Sequence, residues 1–351
     1  MSSKILGFLL VIGSVSAIAV AANVGEPDDS ETWLAAAEKE AAKQTKVEPA
    51  GAERPAGQPV SVRHTIEGVG GGWFVPNAYL VNPGPKDKIF GLPAASATFI
   101  GWAGSKNLLG FAVSETFFGR LEFSYSASRM YLDDLPRVIR KTVGNRIRQS
   151  EVCLHNFNLR GLLLEEDSFG LPLPALTAGL HFKYNPSIER INGRLGIPLD
   201  AIGYERSNGL ELTLTATKTV HLKPLPRVVA TVGMRNSDAS NLGYMGFGDH
   251  RNTTVEVGVE VYPVDWLVVS YEFRRKERAF SAPPVSRMLG YEGNWHGLGG
   301  GMLLGEENWH ALGVGLLLND HLSLNVGVLF LGNIGNTKDA VTPSFQVKYE
   351  F

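Results

Sequence analysis

The stretch PSFQVKYEF, residues 343–351, alternates without a break. Phe345, Val347, Tyr349 and Phe351 are apolar at every second position, and Ser344, Gln346, Lys348 and Glu350 between them are polar. A period of two marks a strand with one apolar and one wet face. In a soluble sheet this reads as a C-terminal edge strand. In a membrane barrel it reads as a strand whose apolar face meets lipid. The rest of the chain decides between them.

The alternation recurs from about residue 93 onward. LEFSYSA (121–127) sets Leu121, Phe123, Tyr125 and Ala127 against Glu122, Ser124 and Ser126. LELTLTAT (210–217) sets leucines and Ala216 against Glu211 and threonines. RVVATVGMR, VEVGVEVY, LVVSYEFR and HLSLNVGVLF repeat the pattern. A soluble sandwich covers its apolar face with a second sheet and shows Lys and Glu to water. Here the second face is mostly Ser, Thr, Gly and Asn with sparse, mixed charge. Segments of about ten residues with this alternation are the signature of a transmembrane barrel.

The connections supply an independent test. Short links at 116–119, 263–265 and 319–320 alternate with long polar ones at 131–150, 186–208, 237–252, 276–308 and 332–341. One rim of an outer-membrane barrel carries turns and the other carries loops. The expectation is an all-β fold, a closed antiparallel transmembrane β-barrel of about 12 strands. The last strand must then pair with the first. One internal repeat complicates the count: NWHGLGGGMLL (294–304) is echoed by NWHALGVGLLL (308–318). If both copies cross the membrane the barrel has about 14 strands; the preferred reading keeps the first copy as a hairpin above the membrane.

The front of the chain reads as a leader. Lys4 supplies a positive start, residues 5–20 an apolar stretch, and Ala19-Val20-Ala21 a small-x-small cleavage signal. The domain reading is therefore a signal peptide at 1–21 and a periplasmic helix with a Pro/Gly linker at 22–61. A Gly-rich plug or inward strap at 62–92 and the outer-membrane barrel at 93–351 complete it. Trp33 and Leu34 are the candidate anchors if the short helix binds a partner.

Composition agrees with export of a barrel. One cysteine, Cys153, excludes an internal disulfide framework and a Cys-based metal site. A formal charge of −2 offers no global attraction to nucleic acid. Forty glycines with 44% hydrophobic residues suit many half-apolar strands better than an exported enzyme.

IEGVGGGWFVPNAYL (66–80), GFGDHRN (246–252) and HLSLNVGVLFLGNIGN (321–336) resemble a family of bacterial outer-membrane proteins known only as domain of unknown function family 3034. The resemblance covers residues 62–351, and the third stretch is the most specific. The front part is also loosely similar to outer-membrane barrels associated with exopolysaccharide production. The resemblance implies a barrel in the outer membrane and supplies no catalytic residues.

The chemistry-bearing motifs are few. GVGGGW (68–73) is followed by Trp73, Phe74, Val75 and Pro76 rather than by a helix, so it does not read as a phosphate loop. Its glycines suit a segment lying close to a barrel wall. Eight histidines lack metal-ligand spacing, and no cofactor is expected. His296 and His310, beside Trp295 and Trp309, read as interfacial or loop residues. Asp249-His250 is the one local pair that fits an outer-rim hydrolase. The cluster Arg137, Arg140, Lys141, Arg146 and Arg148 reads either as a solvated loop or as a basic face for glycolipid phosphates. Inward positions on three successive strands include Arg235, Glu256, Glu260, Glu272 and Arg274.

The functional expectation is a narrow, weakly cation-preferring pore or an export-associated barrel of unassigned substrate. A non-conducting structural or envelope-biogenesis barrel is the alternative, and an outer-rim hydrolase the third reading. Expected partners are outer-membrane lipid and lipopolysaccharide, the barrel assembly machinery, and a small solute or polysaccharide; nucleic acid is not among them.

Overall fold

The computed structural model describes residues 61–84, 88–101, 106–132, 148–194, 203–221, 226–280, 306–332 and 340–351, with five further loop positions (136, 137, 140, 224 and 334). The leader, the periplasmic helix and linker up to residue 60, and the first copy of the repeat at 294–304 lie outside the described residues.

Two short strands come first, β1 (Arg63–His64) and β2 (Gly70–Gly71), paired only with each other. There follow β3 (Ala94–Gly101), β4 (Asn107–Phe117), β5 (Leu121–Tyr131), β6 (Glu151–Leu164), β7 (Ala175–Tyr184), β8 (Tyr204–Arg206) and β9 (Asn208–Val220). The chain continues through β10 (Arg227–Ala239), β11 (Phe247–Val264), β12 (Leu267–Arg274), β13 (Trp309–Leu317), β14 (Leu322–Phe330) and β15 (Val341–Glu350). All pairings are antiparallel, and β10 pairs with β11 to join the two ends of the sheet order. Twelve strands thus form a closed ring among the described residues; β8 adds a thirteenth that pairs only with the start of β11.

Closure joins the last strand to the first. Glu350 faces Ala94, Val347 faces Ala97 and Phe345 faces Phe99 in register. Ser344, Gln346, Lys348 and Glu350 are all buried inside, while Phe345 and Tyr349 lie 43% and 42% exposed outside. The same parity runs round the barrel: Phe111, Phe123, Leu159, Phe182, Leu212, Val232, Val255, Val269, Leu312 and Val328 are exposed outward. The exterior is therefore an apolar band, and no sheet edge is left unpaired in the ring.

One rim carries the short connections 118–120, 265–266 and 318–321 and both ends of the ring; this is the turn end. The loop end carries 132–150, 185–207, 275–308 and 331–340. One expected loop is different. Residues 237–252 form less of a loop than the sequence suggests, because β10 runs on to Ala239 and β11 starts at Phe247. The connection left between them folds inward, and Leu242, Tyr244 and Met245 bury against Leu154 and Ile188 in the apolar cluster of the loop end. Apolar burial, not solvation, sets its path.

The barrel is not hollow. Every residue from 61 to 81 is buried inside it. Apolar contacts gather in two layers. One toward the loop end includes Trp73, Phe74, Met130 and Trp309; one toward the turn end includes Val62, Ala78, Tyr79, Val229 and Tyr262. Charged groups share the loop-end level, where Arg274 stands opposite Trp309 in register and its guanidinium lies 5.6 Å from the Phe74 ring.

Candidate functional site

The strand parity that puts Phe and Leu in the outer band aims the intervening polar residues at the lumen. On β10, β11 and β12 these are Arg235, Glu256, Glu260, Glu272 and Arg274, each buried. The register sets Glu256 opposite Arg274. The structure joins Arg235 and Arg274 on a single carboxylate, Glu256, with Nε–Oε1 distances of 2.6 and 2.8 Å.

The segment threading the lumen completes this cluster. Glu67 receives Arg235 at 3.1 Å, Arg274 at 2.9 Å and the ammonium of Lys183 on β7. Lys183 also reaches Glu211 on β9 at 2.8 Å, and Arg235 bonds the same carboxylate. Three carboxylates, Glu67, Glu211 and Glu256, thus interlock with three cations, Lys183, Arg235 and Arg274. Burial pushes the Glu67 carboxyl up, but Arg235, Lys183 and Arg274 outweigh it and hold the group well below the ordinary carboxylate range.

Glu272 does different work from its neighbours. Its two oxygens accept the backbone N–H groups of Trp73, Phe74 and Val75 at 2.7, 3.0 and 2.9 Å. Three donors on one carboxylate pin the tip of the segment to β12. Gly72 makes this possible, since a β-carbon there would lie 2.1 Å from the Glu272 carboxyl carbon. Glu260 accepts from Tyr262 Oη at 3.0 Å and faces Arg63 at 3.8 Å.

Part of the segment's backbone bonds within the segment, as Ile66 N does to Trp73 O at 2.8 Å and Asn77 N to Gly70 O at 3.1 Å, and other groups are met by the wall. Gln346 accepts from His64 N at 3.0 Å and donates to His64 O at 2.8 Å. The His64 ring sits between Ser96 and Ser114 at 2.9 and 2.8 Å. Arg160 donates to the Gly70 and Tyr79 carbonyls at 3.0 and 2.9 Å. Glu122 accepts from Val81 N at 2.7 Å. The segment enters and leaves at the turn end. Its first residues meet Lys348 and Ser323, and its last meet Glu166 and Thr116.

Sequence reasoning named the five charged residues of β10 to β12 but missed Glu67, Lys183, Glu211, Arg160 and Arg63. Parity alone marks Lys183 and Glu211 as inward. Nothing local marks Glu67, which stands alone in a Gly-rich run. The inward loop adds a second closure, since Lys183 also donates to Leu242 O at 3.2 Å.

The other expected positions lie at the rims. Arg137, Arg140 and Arg148 are exposed, and Lys141 and Arg146 fall outside the described residues. Asp249 and His250 are exposed at the start of β11, their backbone N–H groups bonded to Gly203 O and Ala279 O. His310 faces outward, its Nδ1 2.8 Å from Tyr271 Oη. Its neighbour Trp309 points into the lumen: it is 2% exposed and meets Phe74 edge to face at 5.7 Å. Val347 and Phe351 are half-buried on the outer face, and Phe351 N donates to Pro93 O at 3.0 Å. Among the described residues no group of three or more His, Cys, Asp or Glu is arranged to hold a metal ion.

The family model described as "Protein of unknown function (DUF3034)" matches residues 61–345, and the chain belongs to that family. The match begins where the lumen segment begins and runs through the barrel strands into β15, where it stops at residue 345. No curated relative matches the chain. Solved barrels are similar in fold. A KdgM porin in complex with disordered oligogalacturonate shares 8% identity at a TM-score of 0.42, covering 74% of this chain and 99% of its own. Omp33 of Acinetobacter baumannii shares 7% at 0.39, covering 76% and 100%. The outer membrane phospholipase (OMPLA) dimer of Salmonella typhi with bound calcium shares 10% at 0.36, covering 73% and 90%.

Proposed function

We propose that this family member is an outer-membrane barrel with a gated passage, closed by its own segment 61–81. The observation that carries this reading is the way the segment is held. Its backbone and Glu67 are bound by side chains of the wall, through ion pairs and hydrogen bonds. Such contacts exchange for water when the segment leaves, while Trp73, Phe74, Val62 and Tyr79 leave the two apolar layers, so release is a second state that keeps the strand ring and gives up the packing inside it. The apolar band sets the barrel in a membrane, and the turn end faces the periplasm because turns do so in this class of barrel.

With the segment withdrawn, the wall of β7 to β12 keeps Glu211, Glu256, Glu260 and Glu272 against Lys183, Arg235 and Arg274. One surplus carboxylate makes the open passage weakly cation-preferring, and its substrate is a small solute.

The test is planar-bilayer recording of the full chain beside a variant lacking 61–84. The deletion ends before β3 and leaves the β3–β15 closure intact. The full chain is expected to stay closed for most of the record and the deletion to conduct steadily, both running as compact species on unheated detergent gels. A deletion variant that folds and passes no current would establish instead a non-conducting structural barrel, in which the charge cluster serves rigidity.

A further inference from the structure

A cavity of about 280 Å³ opens at the turn end beside the outgoing limb of the lumen segment. Its floor is apolar: Leu80, Pro83, Phe118, Leu162 and Ala175, with Tyr79 behind them. Its rim is acidic. Glu165 and Glu166 line it, and Asp167 follows on the same turn between β6 and β7. Each of the three carboxylates is partnered: Arg120 lies 3.1 Å from Glu165, and Lys218 lies 3.2 Å from Glu166 and 2.5 Å from Asp167, which leaves one net negative charge over two cations.

The Arg120–Glu165 pair shows what chemistry the rim accepts. Its side chains are 56% and 29% exposed, so the pair holds weakly and yields to a competing cation. The same turn presents more apolar surface outside the cavity. Phe169 is 86% exposed, on a backbone in the left-handed region at φ 62°, and Leu171 is 53% exposed. A left-handed non-glycine residue is held there at a cost, which is common where a side chain must be presented.

We propose that this cavity binds a basic polypeptide segment. An apolar side chain fills the floor, an adjacent arginine or lysine takes the Glu165 position, and a further apolar residue covers Phe169 and Leu171. A peptide is favoured over a small amine because Phe169 and Leu171 stand outside the cavity lining, on the turn between Glu166 and Ala175 that flank it, and a ligand touching both is longer than an amine. The acidic surplus sets the sign of the partner.

The test uses the full-length chain in detergent, titrated calorimetrically with acetyl-Leu-Arg-Phe-amide and with acetyl-Leu-Glu-Phe-amide. The basic peptide is expected to bind at least tenfold more tightly than the acidic one. Glu165→Gln, at a part-exposed position that leaves folding intact, is expected to remove most of that preference. Leu162→Trp, which fills the floor, is expected to abolish binding of the basic peptide while the unheated gel band stays compact. Equal binding of the two peptides overturns the proposal, as does unchanged affinity in Glu165→Gln.

Discussion

Arg274 on β12 donates to Glu67 across 2.9 Å, and the two residues stand 207 positions apart in the chain. The bond ties a wall strand to a segment that is no part of the wall. Glu67 shares Arg274 with Glu256 and Arg235 with both Glu256 and Glu211, so its loss unbalances the whole cluster.

Glu67→Gln is therefore expected to weaken docking of the segment strongly. Removing one partner from a buried ion pair leaves uncompensated charge and costs about 3–5 kcal/mol. At about 1.4 kcal/mol per decade, that raises the open fraction by roughly two to three and a half orders of magnitude. Single-channel open probability measures it. An unchanged value in a compact, folded Glu67→Gln protein means that the cluster does not hold the segment.

How much of this was legible follows from the kind of signal each part leaves. The ring was legible because parity is local: Phe345 and Gln346 announce opposite faces whatever they touch. Its closure followed from the alternation of turns and loops. The role of Glu272 was not legible, because its donors, the N–H groups of Trp73, Phe74 and Val75, lie 197–199 residues away and carry no side-chain signature. The inward path of Leu242 and Tyr244 was hidden for a similar reason. A turn between two strand patterns reads as solvated until the apolar partners from β6 and the short helix at Ile188–Asn192 are in place.

Acid is expected to loosen the segment in two stages. Burial, with Lys348 and Arg160 nearby, holds the His64 imidazole well below its ordinary value of 6.5, so the docked segment keeps it neutral. Below pH 6.5 the released segment takes up a proton that the docked one refuses, and docking weakens as pH falls. Glu67 acts in the same direction at lower pH. Its docked pKa is depressed, so its contribution is complete above the ordinary 4.5 and is lost as pH falls from there through the docked value. Protease accessibility of residues 61–84 against pH reports both stages, and His64→Gln should remove the first alone. A flat profile from pH 7.5 to 4.5 contradicts the His64 assignment, and one that stays flat down to about pH 3 contradicts that of Glu67 as well.

Gly71→Ala is expected to displace the tip of the segment without opening the ring. At φ 154° its β-carbon would lie 2.4 Å from Val75 O, 2.7 Å from Pro76 Cα and 2.8 Å from Asn77 N, all backbone atoms that no rotamer change can move. Forced overpacking of this kind costs about 1–3 kcal/mol. The readout is a higher open probability with thermal unfolding of the barrel nearly unchanged. A silent substitution means that the turn closed by Asn77 N on Gly70 O and Gly72 N on Val75 O does not hold the tip in place.

The basic cluster of the β5–β6 loop is expected to engage outer-leaflet glycolipid. Arg137, Arg140 and Arg148 are exposed. Replacing them together with Lys141 and Arg146 by Gln is expected to weaken lipopolysaccharide binding and flatten its dependence on salt. Unaltered binding at low salt would show the loop to be merely solvated.

The closing strand separates stability from assembly. Phe345 sits within the band opposite Phe99, both about half exposed to the surroundings. Phe345→Arg puts a charge among apolar neighbours and is expected to cost about 2–4 kcal/mol of barrel stability if that level is near the midplane, less toward an interface. Phe351 is at the foot, its ring 5.0 Å from Tyr349 and its N–H on Pro93 O at 3.0 Å. Phe351→Asp keeps the backbone bond and sits at the interface, where a charge costs about 0–1 kcal/mol. Its effect is expected on insertion of the last strand beside the first. The amount of compact barrel in the outer-membrane fraction should fall several-fold, while the thermal unfolding of what does assemble stays near wild type. Loss of stability without loss of yield in Phe351→Asp would place the foot within the hydrocarbon. Normal yield and normal stability together would mean that closure does not depend on this residue.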